Sequence, residues 1–227
     1  MKTIEFLFPE LVIYGDTYNI EFMKKCNEDI NVVYTSIVDK PYFLNHQVDM
    51  VYLGSMSENS QEVAIEKLRE YVDKIKELIG KKVVFLVTGN ASEIFGKSII
   101  RNDKVINALN VFDYETKYDY SARYHDLYMG SFDDLKVIGF KAQFSYLYQN
   151  KEEPFFQTIT GIGNNTKEIN EGVHFNNYYS TMILGPLFIY NPLLCKYFLR
   201  LLGLDDSLAY EKDVIEAYNK KMEFYLK

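Results

Sequence analysis

The sequence predicts an α/β fold: a doubly wound, mainly parallel sheet with additional antiparallel strands. Three observations carry this. The first hundred residues alternate between short β-branched runs and stretches with helical apolar spacing, the pattern of strand–helix–strand units. One run, Lys82-Val83-Val84-Phe85-Leu86-Val87, is continuously apolar after its lysine, as a strand covered on both faces must be. From about Tyr114 the pattern changes to shorter strands joined by turns.

Taken in order, Ile4 to Phe8 reads as a first buried strand. Gly15-Asp16 precedes a helix from about Thr17 to Asn27. Asn31 to Ile37 and Met50 to Leu53 are the second and third strands. Gln61 to Ile79 is the clearest helix, because Val63, Ile65, Leu68, Val72, Ile75 and Ile79 recur at helical spacing between charges. Lys82 to Val87 is the fourth strand, and Gly89 opens a short helix to about Gly96. Tyr114 to Tyr120, Leu135 to Phe144, Phe156 to Thr160 and Gly172 to Leu184 read as the later strands. Helices over about Pro192 to Leu202 and Ala209 to Tyr225 close the chain.

No linker, repeat or low-complexity segment divides residues 1–227, so one domain is expected. A domain of this size buries roughly 70% of its unfolded surface and needs no metal or disulfide staple. The composition is that of a globular protein, and its 20 Tyr and 16 Phe suit many half-buried positions. The net charge of −7 argues against a nucleic-acid or anionic-lipid partner. No signal-peptide pattern opens the chain and no stretch of 18 uncharged apolar residues occurs, so membrane insertion is not expected and a cytoplasmic location is. Cys26 and Cys195 have no metal-site spacing. His46, His125 and His174 stand apart from each other and from cysteine, so neither a metal nor a cofactor is expected.

Several segments occur in an order that is specific. Leu7-Phe8-Pro9-Glu10-Leu11 is followed by Tyr14-Gly15-Asp16 and Asn19-Ile20, and Asp49 to Gly54 forms a strand ending in a glycine loop. Gly161-Ile162-Gly163-Asn164-Asn165, Glu171-Gly172-Val173, Gly185-Pro186-Leu187 and Asn191-Pro192 then follow. Over nearly its whole length the chain resembles the class I glutamine amidotransferases of the CobB/CobQ-like type, and within them the GatD-type branch. The resemblance implies a flavodoxin-like sheet, a Mur-ligase-like or other synthase subunit as partner, and a setting in peptidoglycan biosynthesis.

It also implies a chemistry that this sequence does not equip. In that family a cysteine on a tight strand-to-helix turn attacks the glutamine side-chain amide, a histidine moves the proton, and backbone N–H groups stabilise the oxyanion. The turn here reads Thr88-Gly89-Asn90-Ala91-Ser92-Glu93-Ile94-Phe95-Gly96, against a family pattern Cys-Gly-Gly-Tyr-Gln-Leu-Leu-Gly. Ungapped matching to Gly96 puts Gly89 at the cysteine position, and a one-residue shift puts Thr88 there. Where the family reads Gly-Thr-Tyr-His-Gly-Pro, this chain has Leu184 in place of histidine. A glycine run in the oxyanion loop becomes Gly54-Ser55-Met56, and Gly-Phe-Glu-Asn-His becomes Gly139-Phe140-Lys141-Ala142-Gln143. Arg123, Asn164 and Asn165 are retained. The expectation is a degenerate amidotransferase with no catalytic residue. Its remnant pocket would involve Gly54, Ser55, Thr88, Gly89, Asn90, Glu93, Arg123, Gln143 and Leu184. An active ammonia-supplying subunit and a small-molecule sensor are the alternatives.

Overall fold

The computed structural model describes residues 1–225. Its first half runs β1 (Lys2–Leu7), α1 (Thr17–Cys26), β2 (Ile30–Thr35), β3 (Met50–Leu53), α2 (Glu58–Arg69), α3 (Val72–Gly80) and β4 (Val84–Thr88). The four strands lie parallel, with Ile4 opposite Val32 and Met50, and Met50 opposite Val84. Every residue of β3 and β4 is buried, which accounts for their apolar sequence up to Thr88. One face of the sheet packs through Val51, Leu53, Phe85 and Val87 on Ile65, Leu68 and Ile75 of α2 and α3. The other packs through Ile4, Phe6 and Leu86 on Ile20 and Met23 of α1.

The helix predicted over Gln61–Ile79 is two helices. It starts earlier because Ser57 caps it, accepting the Ser60 N–H at 3.2 Å. It breaks at Glu70–Tyr71, where the Tyr71 N–H bonds back only three residues to Leu68. The tighter turn lets both Tyr71 and Val72 pack on the core. Val63, read as a core position, is exposed, and Gln61 and Ala64 are buried instead.

The second half adds β5 (Ser98–Arg101), β6 (Lys104–Asn107), β7 (Glu115–Tyr118), β8 (Tyr124–Phe132), β9 (Leu135–Gln143), β10 (Ser145–Tyr148), β11 (Phe156–Thr160), β12 (Asn170–Glu171), β13 (Val173–Phe175) and β14 (Tyr178–Thr181). It ends with α4 (Leu187–Tyr190), α5 (Pro192–Leu201) and α6 (Glu211–Tyr225). The predicted strand Gly172–Leu184 is a hairpin, because Asn176 takes φ +54° and turns the chain back so that Phe175 faces Tyr178. β14 then joins the parallel sheet beside β4, giving the order β13-β14-β4-β3-β1-β2. Two four-stranded sheets, β10-β7-β5-β6 and β12-β11-β8-β9, supply the added strands, antiparallel except for the β5–β7 pair. The architecture is therefore α/β, with a mainly parallel sheet carrying extra antiparallel strands.

Candidate functional site

The loops after β1, β3, β4 and β14 meet at the carboxyl end of the parallel sheet, where open α/β folds place their sites. β4 ends at Thr88, still extended at φ −119°, and the chain reverses at Gly89, which takes φ +59° into a 3-10 segment over residues 89–95. This is the geometry of a nucleophile elbow, a sharp turn that exposes one residue at the top of a sheet. A glycine takes it without strain. A Cβ built on Gly89 would stand 2.5 Å from Ser55 Cβ, 3.3 Å from Ser55 Cα and 3.1 Å from Leu184 Cδ2. Gly89, Ser55 and Leu184 thus converge, and the space a side chain would need is already filled. Leu184 is fixed by its N–H, which donates to Phe140 O at 2.9 Å.

The neighbouring backbone donors are committed as well. Ser55 N–H donates to Asp16 Oδ2 at 2.9 Å. Met56 N–H donates to Asn90 Oδ1 at 3.0 Å, and Asn90 Nδ2 returns a bond to Met56 O at 2.8 Å. Gly54 packs under this loop: a Cβ there would lie 2.9 Å from Val12 and 3.2 Å from Asp16 Cβ. An oxyanion hole needs N–H groups aimed at an empty position. Here two side chains occupy them.

Beneath the elbow lies a buried polar network. Thr88 Oγ1 donates to Asp16 Oδ2 at 2.6 Å and lies 3.0 Å from the Tyr52 hydroxyl, which accepts from Asn19 Nδ2 at 2.9 Å. Burial pushes the Asp16 carboxyl up to about 6, against hydrogen bonds from Thr88 and Ser55 that pull the other way. Asp16 Oδ1 is buried without a hydrogen-bond partner. Glu93 is also interior: it accepts from Ser145 Oγ at 2.6 Å, Gln61 Nε2 at 2.9 Å and Tyr118 Oη at 3.0 Å, and burial raises its pKa.

Above the elbow is a cavity of about 310 Å³ lined by Asn90, Tyr118, Arg123, Gln143, Met182 and Leu184, among others. Of the residues singled out in the sequence, Asn90, Arg123, Gln143 and Leu184 line it, whereas Gly54, Ser55, Thr88, Gly89 and Glu93 stand behind its wall. Gln143 donates through Nε2 to Ser145 O, while its Oε1 is buried and unpaired. Neither cysteine lines the cavity. Asn164 and Asn165 spend their side-chain amides on the backbone of Gly172 and Leu147. Among the described residues no group of three His, Cys, Asp or Glu could hold a metal ion, and no helix is long and apolar enough to cross a membrane.

Sequence reasoning missed Asp16, Tyr52, Gln61 and the Lys141–Glu171 pair. Lys141 and Glu171 are fully buried and 3.2 Å apart. Lys141 also donates to the carbonyls of Ile162 and Gly163, and Glu171 accepts from Thr181 Oγ1 and Met182 N. A lysine in β9 at the same alternation as the buried Val137 and Gly139 was the available signal.

No family model matches the chain. Among solved structures it superposes on a glutamine amidotransferase with TM-score 0.60, at 12% identity over 88% of this chain and 99% of that one. A second glutamine amidotransferase, from Thermotoga maritima, gives TM-score 0.56 at 12% identity, covering 98% of this chain and 92% of that one. The fold is that of the glutamine amidotransferase class. Two curated relatives narrow the likeness to the GatD subunit of a glutamine-hydrolysing lipid II isoglutaminyl synthase. The Staphylococcus aureus protein is 25% identical over 199 residues, 86% of this chain and 81% of the relative. The Streptococcus pneumoniae protein is 25% identical over 189 residues, 80% and 72% of the two chains. The chain is thus similar to GatD subunits over most of its length and shares the fold of glutamine amidotransferases.

Proposed function

We propose that residues 1–227 form a catalytically degenerate amidotransferase-like domain of the CobB/CobQ type that acts through a partner. The observation that carries this is the elbow itself: Gly89 stands at the turn with Ser55 and Leu184 packed against it, and neither a thiol nor an imidazole reaches the cavity. Thiol-dependent acyl transfer needs a thiolate at the turn and a base within about 3 Å of it. The occupied Ser55 and Met56 N–H groups support the same reading, since they leave an oxyanion unassisted at that loop.

The partner we infer is a Mur-ligase-like synthase subunit in cell-wall metabolism, because the curated relatives are by name subunits of a lipid II synthase. The test has two arms. Purified protein, alone and with whatever native partner it captures, is assayed for ammonia release from glutamine, and the expected result is background. Robust release in the unmodified protein would overturn the reading in favour of an active ammonia-supplying subunit. The second arm is a pull-down from native cells, which should recover a Mur-ligase-like protein.

A second reading is favoured by one observation. The cavity is lined by both Arg123 and Gln143, whose Oε1 has no hydrogen-bond partner, a pair of groups suited to a small ligand carrying both a carboxylate and an N–H donor. A sensor role predicts that an amino acid of this kind raises the melting temperature of the protein but not of its Arg123→Ala variant.

A further inference from the structure

Glu93 stands behind the wall of the elbow cavity, and three donors converge on it. Ser145 Oγ donates to its Oε1 at 2.6 Å, while Gln61 Nε2 and Tyr118 Oη donate to its Oε2 at 2.9 and 3.0 Å. Ser145 and Tyr118 face each other across the β7–β10 pair, and both line the cavity. An ionised carboxylate only accepts, and a hydroxyl has one proton. With that proton turned back to Glu93, each hydroxyl oxygen has only lone pairs left for the cavity. Gln143 is held in one orientation too. The Ser145 carbonyl can only accept, so it fixes Gln143 Nε2 on its own side at 2.5 Å and leaves Oε1 a buried acceptor without a partner. Burial opposes the charge on Glu93, and the three donors and the Arg101 guanidinium offset it. Arg101 donates to Gln61 Oε1 and lies 4.8 Å over the Tyr118 ring. The wall therefore presents three neighbouring acceptors, with Glu58 and Arg123 as the charged side chains of the lining.

We propose that Glu93 sets the hydrogen-bond polarity of the cavity, and that the cavity thereby selects a small amino acid whose side chain ends in a protonated primary amine over one ending in a carboxamide. This deepens the sensor reading above and rests on it. An ammonium brings three N–H donors and no acceptor, so it can satisfy Ser145 Oγ, Tyr118 Oη and Gln143 Oε1 and leave nothing of its own unpaired. A carboxamide of the same reach brings an oxygen to which these three atoms cannot donate, and a buried acceptor without a donor is costly. Arg123 remains for the ligand carboxylate.

The test is calorimetric titration of the full chain with ornithine and with glutamine, whose side-chain nitrogens stand the same number of bonds from Cα. In the unmodified protein ornithine should bind roughly tenfold or more tightly than glutamine. In Glu93→Gln an NH2 group replaces one accepting oxygen. Two donors already face Oε2, so the NH2 takes the Ser145 side and the Ser145 proton turns into the cavity. The ratio of affinities should then fall to about one. Should this buried variant fail to fold, Ser145→Ala removes one acceptor and should weaken ornithine roughly threefold or more while leaving glutamine unchanged. Arg123→Ala should weaken both ligands alike. Equal affinity for the two ligands in the unmodified protein, or a preference for ornithine that survives Glu93→Gln and Ser145→Ala, would overturn this proposal and leave the sensor reading standing. Binding of neither ligand would overturn both.

Discussion

A side chain at position 89 would collide first with the Ser55 Cβ and then with Leu184 and the Ser55 Cα. Gly89→Cys should therefore cost about 2–4 kcal/mol in urea unfolding, from left-handed backbone strain plus overpacking, and should leave ammonia release at background. Ser55→Gly removes the nearest atom. Combined with Gly89→Cys it should return about 1 kcal/mol or more relative to additivity, a coupling that a double-mutant cycle measures. Asp16 carries a second expectation. Its carboxyl is raised from 3.8 to about 6 in the folded state, so the fold binds the proton more tightly than the unfolded chain does. This group's contribution is greatest below about pH 4 and is lost as pH rises through 6. Asp16→Asn should match the parent near pH 4 and exceed it near pH 7 by up to about 3 kcal/mol. Positions 89 and 184 were legible because the segments around them keep a recognisable order. Asp16 was not, since an aspartate before a helix reads equally well as a cap. Only the fold shows that it makes no side-chain bond to α1 and turns to Ser55 and Thr88 instead.

Among the elements, β1 to β4 were legible within a few residues, and β3 and β4 most directly, because a strand buried on both faces writes its covering into composition. The division of α2 from α3 was not: no glycine or proline marks Glu70–Tyr71, and the apolar spacing continues through it. The strand β8 was missed although Asp133-Asp134 follows it as a turn, because its exposed half, Tyr124 to Leu127, lacks clean alternation. Lys141 and Glu171 hold β9 to the hairpin side of the sheet, and burial lowers the lysine pKa against the pull of its partner. Lys141→Met alone should cost about 3–5 kcal/mol, because it strands a buried carboxylate. Lys141→Met with Glu171→Gln should cost less than the single change, as chemical denaturation of both variants would show. A double variant no more stable than the single one would mean that the carbonyls of Ile162 and Gly163, not the ion pair, set the cost.

For the molecule as a whole, the site exists only after β14 returns from the added sheets to lie beside β4, so no local window of sequence contains it. A diazoketone analogue of glutamine, which alkylates a thiol at an elbow of this kind, should give no adduct at residues 54–56, 88–93 or 184 by mass spectrometry. An adduct there would place a nucleophile in the cavity. The reciprocal bonds between Asn90 and Met56 have a consequence for descent. Under the function proposed above, they link two loops that a hydrolase would have to keep independent, so a thiol, a base and vacant amides would all have to be gained before any one of them is useful. Each step taken singly loses stability and returns no activity. On that proposal, a lineage holding this arrangement meets a valley on any path to hydrolysis.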